Sequence, residues 1–149
     1  MITNTWITGN QDLTLPLSIQ KEIFGSAGDA YDSGAMYLVL FDDEIPCAVG
    51  RIYHNGSCFV IDKIGVKEAF RRQAVGDLLI RLLLYKAFTF ANQVAIECPA
   101  HLEQVFAKFG FERQSETPDH MVSMVLLKDN LVFASHCGDC KKAADILPQ

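Results

Sequence analysis

The ten residues from Phe70 to Leu79, FRRQAVGDLL, combine two arginines, a passage of small side chains and the start of an apolar helix. A helix N-terminus has unpaired backbone N–H groups and a partial positive charge, and small residues beside it allow an anion to approach the backbone. Arg71 and Arg72 add guanidinium groups that can bind phosphate oxygens in a bidentate way. These features together predict a site for a pyrophosphate group.

The alternative is a solvated basic segment in front of a core helix. Cations at a helix N-terminus oppose the helix dipole by roughly 0.3–1 kcal/mol each when they are exposed. A bound anion would remove that conflict. Taken alone, the passage fits both interpretations.

Composition restricts the classes of function that remain. The chain has 149 residues, a net charge of −5 and a hydrophobic fraction of 50%, which predicts an ordered domain and argues against a general nucleic-acid binder. No run approaches the ~18 apolar residues of a membrane span, and the N-terminus does not resemble a signal peptide. Five cysteines, an odd number, favour free thiols in a reducing cytoplasm. We therefore expect one cytoplasmic domain over residues 1–149, with 129–149 as a tail.

Hydrophobic periodicity predicts the elements that position the site. A first strand is expected at Thr5–Thr8, followed by a helix that ends near Gly25 and a loop over residues 25–35. The Asn55-Gly56 dipeptide between β-rich runs predicts a hairpin. The remaining predicted elements are the strands MYLVLFD, IPCAVGRIYH and SCFVIDKIGV, a helix from Val75 to about Phe90, the strand VAIEC, a helix over His101–Phe109 and the strand MVSMVLL. This order predicts an α+β (mixed α/β) fold, with parallel pairing of the strands around the long helix if they are neighbours.

The passage VKEAFRRQAVGDLL, preceded by the strand FVIDKIGV, resembles the acetyl-coenzyme-A-binding motif of the GNAT acetyltransferase superfamily. That motif has Gln or Arg, two free positions, Gly, one free position, then Gly or Ala; here these positions are Arg71, Ala74 and Gly76. Val66 matches an apolar residue five positions before the arginine. VFAKFGFE resembles the end of a helix in that family, Phe-Tyr-x-x-x-Gly-Phe. The resemblance implies a central mixed, mostly antiparallel sheet flanked by helices.

The resemblance also implies a cofactor site and a mechanism. Acetyl-coenzyme A would be the co-substrate, with its pantetheine arm on the backbone of Ile64, Gly65 and Val66 and no metal required. An amine would attack the thioester carbonyl directly, and a backbone N–H near Val66 would polarise that carbonyl. The pyrophosphate would be held by six consecutive residues: Arg71, Arg72, Gln73, Ala74, Val75 and Gly76.

Two residues depart from the family pattern. Ala74 replaces the usual first glycine, which is costly if φ is positive at this position. Phe106 stands where many members have the tyrosine that protonates the departing thiolate. The general acid is therefore missing or supplied by another group.

Three residues are candidates for the base that removes the amine proton. Similarity to a subset of small bacterial members, with sequences like AHLQxFYxxFGF, places His120 and His101 ahead of Glu97, the end of the VAIEC strand. Glu97 could equally be an exposed carboxylate. Asp62 shares the alternation parity of Ile64, but a residue of this type more often pairs with a neighbouring strand.

The predicted function is transfer of an acetyl group from acetyl-coenzyme A to a primary amine of a small molecule or peptide. The alternative is a non-catalytic acyl-coenzyme-A-binding module. Neither function requires a nucleic acid or a membrane, and both allow a homodimer. Cys137, Cys140 and His136 are a third possibility, a tail metal contact or redox sensor, although zinc usually needs four ligands. Residues 25–35 and 112–120 are expected to form loops over the acceptor.

Overall fold

The computed structural model describes residues 1–71 and 73–132. Within these ranges, seven strands and three α-helices alternate with short 3₁₀ turns. The strands are β1 (Ile2–Thr8), β2 (Met36–Asp42), β3 (Ile45–His54), β4 (Phe59–Val66), β5 (Gln93–Pro99), β6 (Glu112–Glu116) and β7 (Met121–Leu127). The helices are α1 (Thr14–Phe24), α2 (Val75–Ala87) and α3 (Glu103–Ala107).

The strands form one sheet in the order β1-β2-β3-β4-β5-β7-β6. All neighbouring pairs are antiparallel except β4 and β5, which are parallel and connected through α2. The predicted hairpin between β3 and β4 is present: Gly56 has φ 100°, and the Asn55 side chain accepts hydrogen bonds from the N–H groups of Ser57 and Cys58. The predicted mixed, mostly antiparallel fold is confirmed.

Helices cover both faces of the sheet. α1 packs on the face that contains Tyr37, Val39 and Val49, whereas α2 packs on the opposite face with Leu38, Leu40 and Ile52. α2 approaches β3 closely at Gly50, where an added Cβ would lie 2.5 Å from a methyl carbon of Leu83. The leucines of α2 therefore fix the position of its N-terminus relative to the sheet. No helix in the described ranges is long and apolar enough to cross a membrane.

Four predicted boundaries were wrong. The first strand begins at Ile2, three residues before the predicted Thr5. The segment expected as a loop over residues 112–120 contains β6, an edge strand whose side chains are all exposed. Its sequence, ERQSE, has no apolar alternation, and it forms because it pairs with β7. α2 ends at Ala87. The helix expected over His101–Phe109 consists of a 3₁₀ turn followed by five α-helical residues.

Candidate active site

An opening lies between the two parallel strands. Within the described part of the chain, β4 and β5 share two residue pairs, Phe59 with Val94 and Val60 with Ala95. Beyond these pairs β4 continues beside β3, and β5 continues beside β7. The two strands therefore separate toward their carboxyl ends, which is where α/β sheets commonly bind ligands.

A cavity of about 810 Å³ occupies this opening. Apolar side chains of both strands and of α3 form much of its wall, including Ile64, Ile96 and Phe106. Three charged side chains also line it, namely Asp62, Lys63 and Glu97. Its size is in the range of small-molecule sites in proteins.

The N-terminus of α2 lies beside the end of β4. No side chain of residues 1–71 and 73–132 caps the helix, and within these ranges its first N–H groups are available to a ligand. Among the residues that the structure describes, an added Cβ at Gly76 would meet only Val66, at an ordinary 3.8 Å. The fold therefore has room for a side chain at Gly76, and packing alone does not require glycine there.

The predicted cofactor-binding residues meet at this point, with one outside the described residues. Arg71 Nε donates a hydrogen bond to the carbonyl of Val66 at 3.0 Å, which holds the segment before α2 against the end of β4. Gly65 has a packing role, because a Cβ there would lie 2.8 Å from Phe24 of α1. Arg72 falls outside the described residues.

Ala74 replaces the usual glycine of the motif and adopts a left-handed conformation, with φ 61° and ψ 14°. This conformation is costly for alanine and not for glycine. Its carbonyl accepts a hydrogen bond from Leu78 N–H at 3.2 Å. A non-glycine residue in this conformation loses about 1–2 kcal/mol. The chain therefore retains a strained alanine at the first residue before α2.

We expect Ala74→Gly to raise the free energy of unfolding by roughly 0.5–1 kcal/mol, since relief of the strain exceeds the added chain entropy. Chemical denaturation measures this change. The matched control is Ala69→Gly, at an exposed alanine with negative φ, which should lose stability instead. Equal losses from both substitutions would contradict the strain at Ala74.

The three candidate bases occupy different environments. Glu97 lines the cavity, and its carboxylate has no ion pair with any residue of the described ranges. His101 is exposed in the 3₁₀ turn after β5 and does not line the cavity. The His120 side chain is 80% exposed and lies 3.4 Å from Glu116, also outside the cavity wall. The structure thus brings only Glu97 of the three to the opening.

The expectation that Asp62 faces the same way as Ile64 was wrong. β4 has an extra residue relative to β3 at this point, and Lys63 there has φ 51°. Such a β-bulge breaks the alternation of side chains. Ile64 consequently packs on the α2 face, whereas Asp62 forms a two-hydrogen-bond ion pair with Arg51 of β3.

The cavity wall contains Phe106, which the sequence analysis singled out, and two groups that it missed, Cys98 and Tyr53. Phe106, which has no hydroxyl, packs edge-on against Phe111. The Cys98 thiol is buried in the wall, and burial raises its pKa. Tyr53 also lines the cavity, and burial raises its pKa as well. Alternation within the strand IPCAVGRIYH could have shown that Arg51 and Tyr53 share a covered face with Val49.

Metal ligation has no candidate in residues 1–71 and 73–132, where no group of three or more His, Cys, Asp or Glu side chains could hold an ion. Cys47, Cys58 and Cys98 are free thiols. The possible tail contact of His136, Cys137 and Cys140 lies outside the described residues.

Solved structures share this fold over most of their length. An acyl-CoA N-acyltransferase from Pseudomonas aeruginosa superposes with a TM-score of 0.74 at 21% identity, covering 84% of this chain and 99% of that one. Escherichia coli ElaA gives 0.71 at 20% identity, with coverage of 84% and 99%. A GNAT family acetyltransferase from Elizabethkingia anophelis with acetyl-CoA bound gives 0.68 at 16% identity, with coverage of 85% and 97%. The fold is therefore that of acyl-CoA N-acyltransferases.

The sequence itself assigns the family. The profile of the Acetyltransferase (GNAT) family matches residues 6–111, which extend from β1 to the end of α3 and the following turn. The chain belongs to the GNAT acetyltransferase family. No curated protein matches it with significance.

Proposed function

We propose that this protein transfers an acetyl group from acetyl-CoA to a primary amine of a small molecule or peptide. The observation that carries the proposal is the meeting of Val66, at the end of β4, with Gly76, at the uncapped N-terminus of α2. This meeting point lies at the carboxyl end of β4, on the strand that forms one wall of the cavity. An acyl-coenzyme A needs such an arrangement: amides for its pyrophosphate and a free strand edge for its arm.

Acyl-coenzyme A fits the residues that are present. The N–H groups of Gln73, Val75 and Gly76 would hold the pyrophosphate, together with the guanidinium of Arg71 and the predicted Arg72. The backbone of Ile64–Val66 has no strand partner on its β5 side among the described residues, so its edge would hold the pantetheine arm. When bound, acetyl-CoA supplies the activated thioester.

Glu97 is the proposed base. At neutral pH an aliphatic amine is protonated, and its nitrogen must lose a proton before it can act as a nucleophile. The Glu97 carboxylate lines the cavity without a cationic partner in the described chain, so it can bind the ammonium and accept its proton. Glu97 is itself exposed, so solvent water can carry the proton away from it. His101 and His120 stay as the alternative bases, acting from outside the described cavity wall.

Two groups in the wall can donate a proton in place of the tyrosine that Phe106 replaces. Burial raises the pKa of both the Cys98 thiol and the Tyr53 hydroxyl, so both stay protonated at neutral pH. Either can serve as a proton donor for a departing thiolate.

The acceptor is proposed to be cationic. The net charge of −5 and Glu97, which forms no ion pair within the described ranges, both favour a protonated amine over an anionic substrate. A polyamine, an aminoglycoside or a lysine side chain meets this requirement.

Release of coenzyme A thiol tests the proposal. Purified protein is mixed with acetyl-CoA and, separately, with spermidine, kanamycin, 2-phenylethylamine and a lysine-containing peptide. We expect at least one amine to raise thiol release well above the amine-free rate, with acetylated product detected by mass spectrometry. Binding of acetyl-CoA without turnover on any amine would favour the non-catalytic binding module, for which the strained Ala74 and Phe106 are the structural arguments.

A further inference from the structure

One arginine connects three carboxylates beside the cavity. Arg51 of β3 is 1% exposed. Its Nε and Nη2 donate to the two carboxylate oxygens of Asp62 on β4, at 2.8 and 2.7 Å. Its Nη1 donates to Asp29 at 2.6 Å and to Asp32 at 3.0 Å. Asp29 and Asp32 belong to the segment between α1 and β2, which we call the 26–35 loop.

Aromatic contacts strengthen the same attachment. The guanidinium of Arg51 lies 4.5 Å from the centre of the Tyr53 ring. Tyr31 of the loop stacks on the same Tyr53 ring, with 4.4 Å between ring centres. The Tyr37 hydroxyl of β2 donates a hydrogen bond to Asp32. The loop is thus held to the sheet by one buried cation, a hydroxyl and a ring stack.

This network forms part of the cavity wall. Asp62 and Tyr53 line the cavity, as does Phe24, the last residue of α1 before the loop. The proposed cofactor residues lie elsewhere, at the end of β4 and at the N-terminus of α2, where Val66 faces Gly76. The residues of the loop do not themselves line the cavity. The loop instead packs behind two residues that do, against Tyr53 through Tyr31 and beside Asp62 through the shared Arg51. This side of the cavity is the part that is left for the acceptor.

The energetics make Arg51 the central group. A buried guanidinium requires charged partners, and breaking such a contact by removing one partner is costly. The hydrogen bond from Arg51 holds the pKa of Asp29 below its usual range, so the pair is ionised at neutral pH. Hydrogen bonds within the loop, from Asp29 N–H to Asp32 and from Tyr31 N–H to Asp29, orient the two carboxylates toward the arginine.

We infer that Arg51 is a positioning residue that holds the 26–35 loop against the acceptor side of the cavity and thereby determines acceptor affinity. This inference rests on the proposed function, because it assigns that side of the cavity to the amine. Arg51 acts through Tyr31, Tyr53 and Asp62 and does not contact the reacting atoms.

Asp29→Asn tests the inference with little risk to the fold. The Asp29 side chain is 35% exposed, and Arg51 keeps the carboxylates of Asp32 and Asp62. We expect the KM for 2-phenylethylamine or spermidine, whichever the wild type turns over faster, to rise at least five-fold. The KM for acetyl-CoA should stay within two-fold. The control is Asp43→Asn, which removes an equally short ion pair, with the N-terminal amine, in the β2–β3 turn.

Hydrogen exchange provides a readout that needs no acceptor. Amide exchange in residues 26–35 should be faster in Asp29→Asn than in the wild type, and faster still in Arg51→Lys, whose single ammonium cannot replace the forked guanidinium. Exchange in α2 should be unchanged. Unchanged loop exchange in Asp29→Asn would overturn the inference even if no amine is a substrate. Equal increases in both KM values would also overturn it, whereas absence of turnover in the wild type alone would count against the proposed function.

Discussion

Gly76→Leu should weaken acetyl-CoA binding by at least 100-fold and leave the fold intact. The expected loss corresponds to two or more charged hydrogen bonds at about 1.5–3 kcal/mol each. Among the described residues a Cβ at Gly76 meets only Val66, at 3.8 Å, so the fold has room for a larger side chain. We expect the leucine to occupy space that the proposed pyrophosphate would need. Isothermal titration calorimetry measures the affinity, and thermal unfolding reports on the fold.

Two substitutions control for effects on α2 itself. Gly76→Ala should raise stability, because alanine is favoured over glycine in a helix by about 1 kcal/mol, while it weakens binding less than leucine does. Tyr85→Leu places the same leucine at a position that is 54% exposed further along the helix and should leave affinity unchanged. Wild-type affinity in Gly76→Leu would exclude the α2 N-terminus as the pyrophosphate site.

Glu97→Gln should lower kcat/KM for the best amine by at least 100-fold at neutral pH, the lower end of the usual contribution of general acid–base catalysis. Glutamine keeps the size of the side chain and cannot accept the proton. Affinity for acetyl-CoA should change little, since Glu97 lies on β5, away from α2.

His120→Gln and His101→Gln distinguish the three candidate bases. Both histidines are exposed and lie outside the cavity wall, so each substitution should lower kcat/KM by less than three-fold. A loss of 100-fold in His120→Gln with a normal rate in Glu97→Gln would instead assign the base to the histidine. Near-normal rates in all three variants would indicate that the proton leaves through water.

Residues close in sequence account for much of what the chain's sequence could predict. The Asn55-Gly56 turn is present because its conformation depends on the turn residues themselves. The leucine spacing of α2 predicted its buried face, and the passage Arg71–Gly76 gave the resemblance to the family that the profile over residues 6–111 shows. Both depend on side chains within one or two turns of each other, so no knowledge of distant contacts was needed.

Contacts between distant residues decided the parts that the sequence predicted wrongly or left open. β6 formed without an apolar pattern because the exposed edge of β7 supplied hydrogen bonds. The bulge at Lys63 turned Asp62 away from Ile64 and toward Arg51, which changes a candidate base into a structural partner.

The choice among the catalytic candidates also depended on the tertiary structure. Glu97, His101 and His120 are all polar residues at or near element ends. The sequence around each of them does not show which side chain lines the opening. That depends on where β4 and β5 stop pairing, after Val60 and Ala95. The sequence by itself determined which small and basic residues precede α2, and these predict an anion site. The tertiary structure determined which candidate base lines the opening, because strand pairing joins residues that lie tens of positions apart.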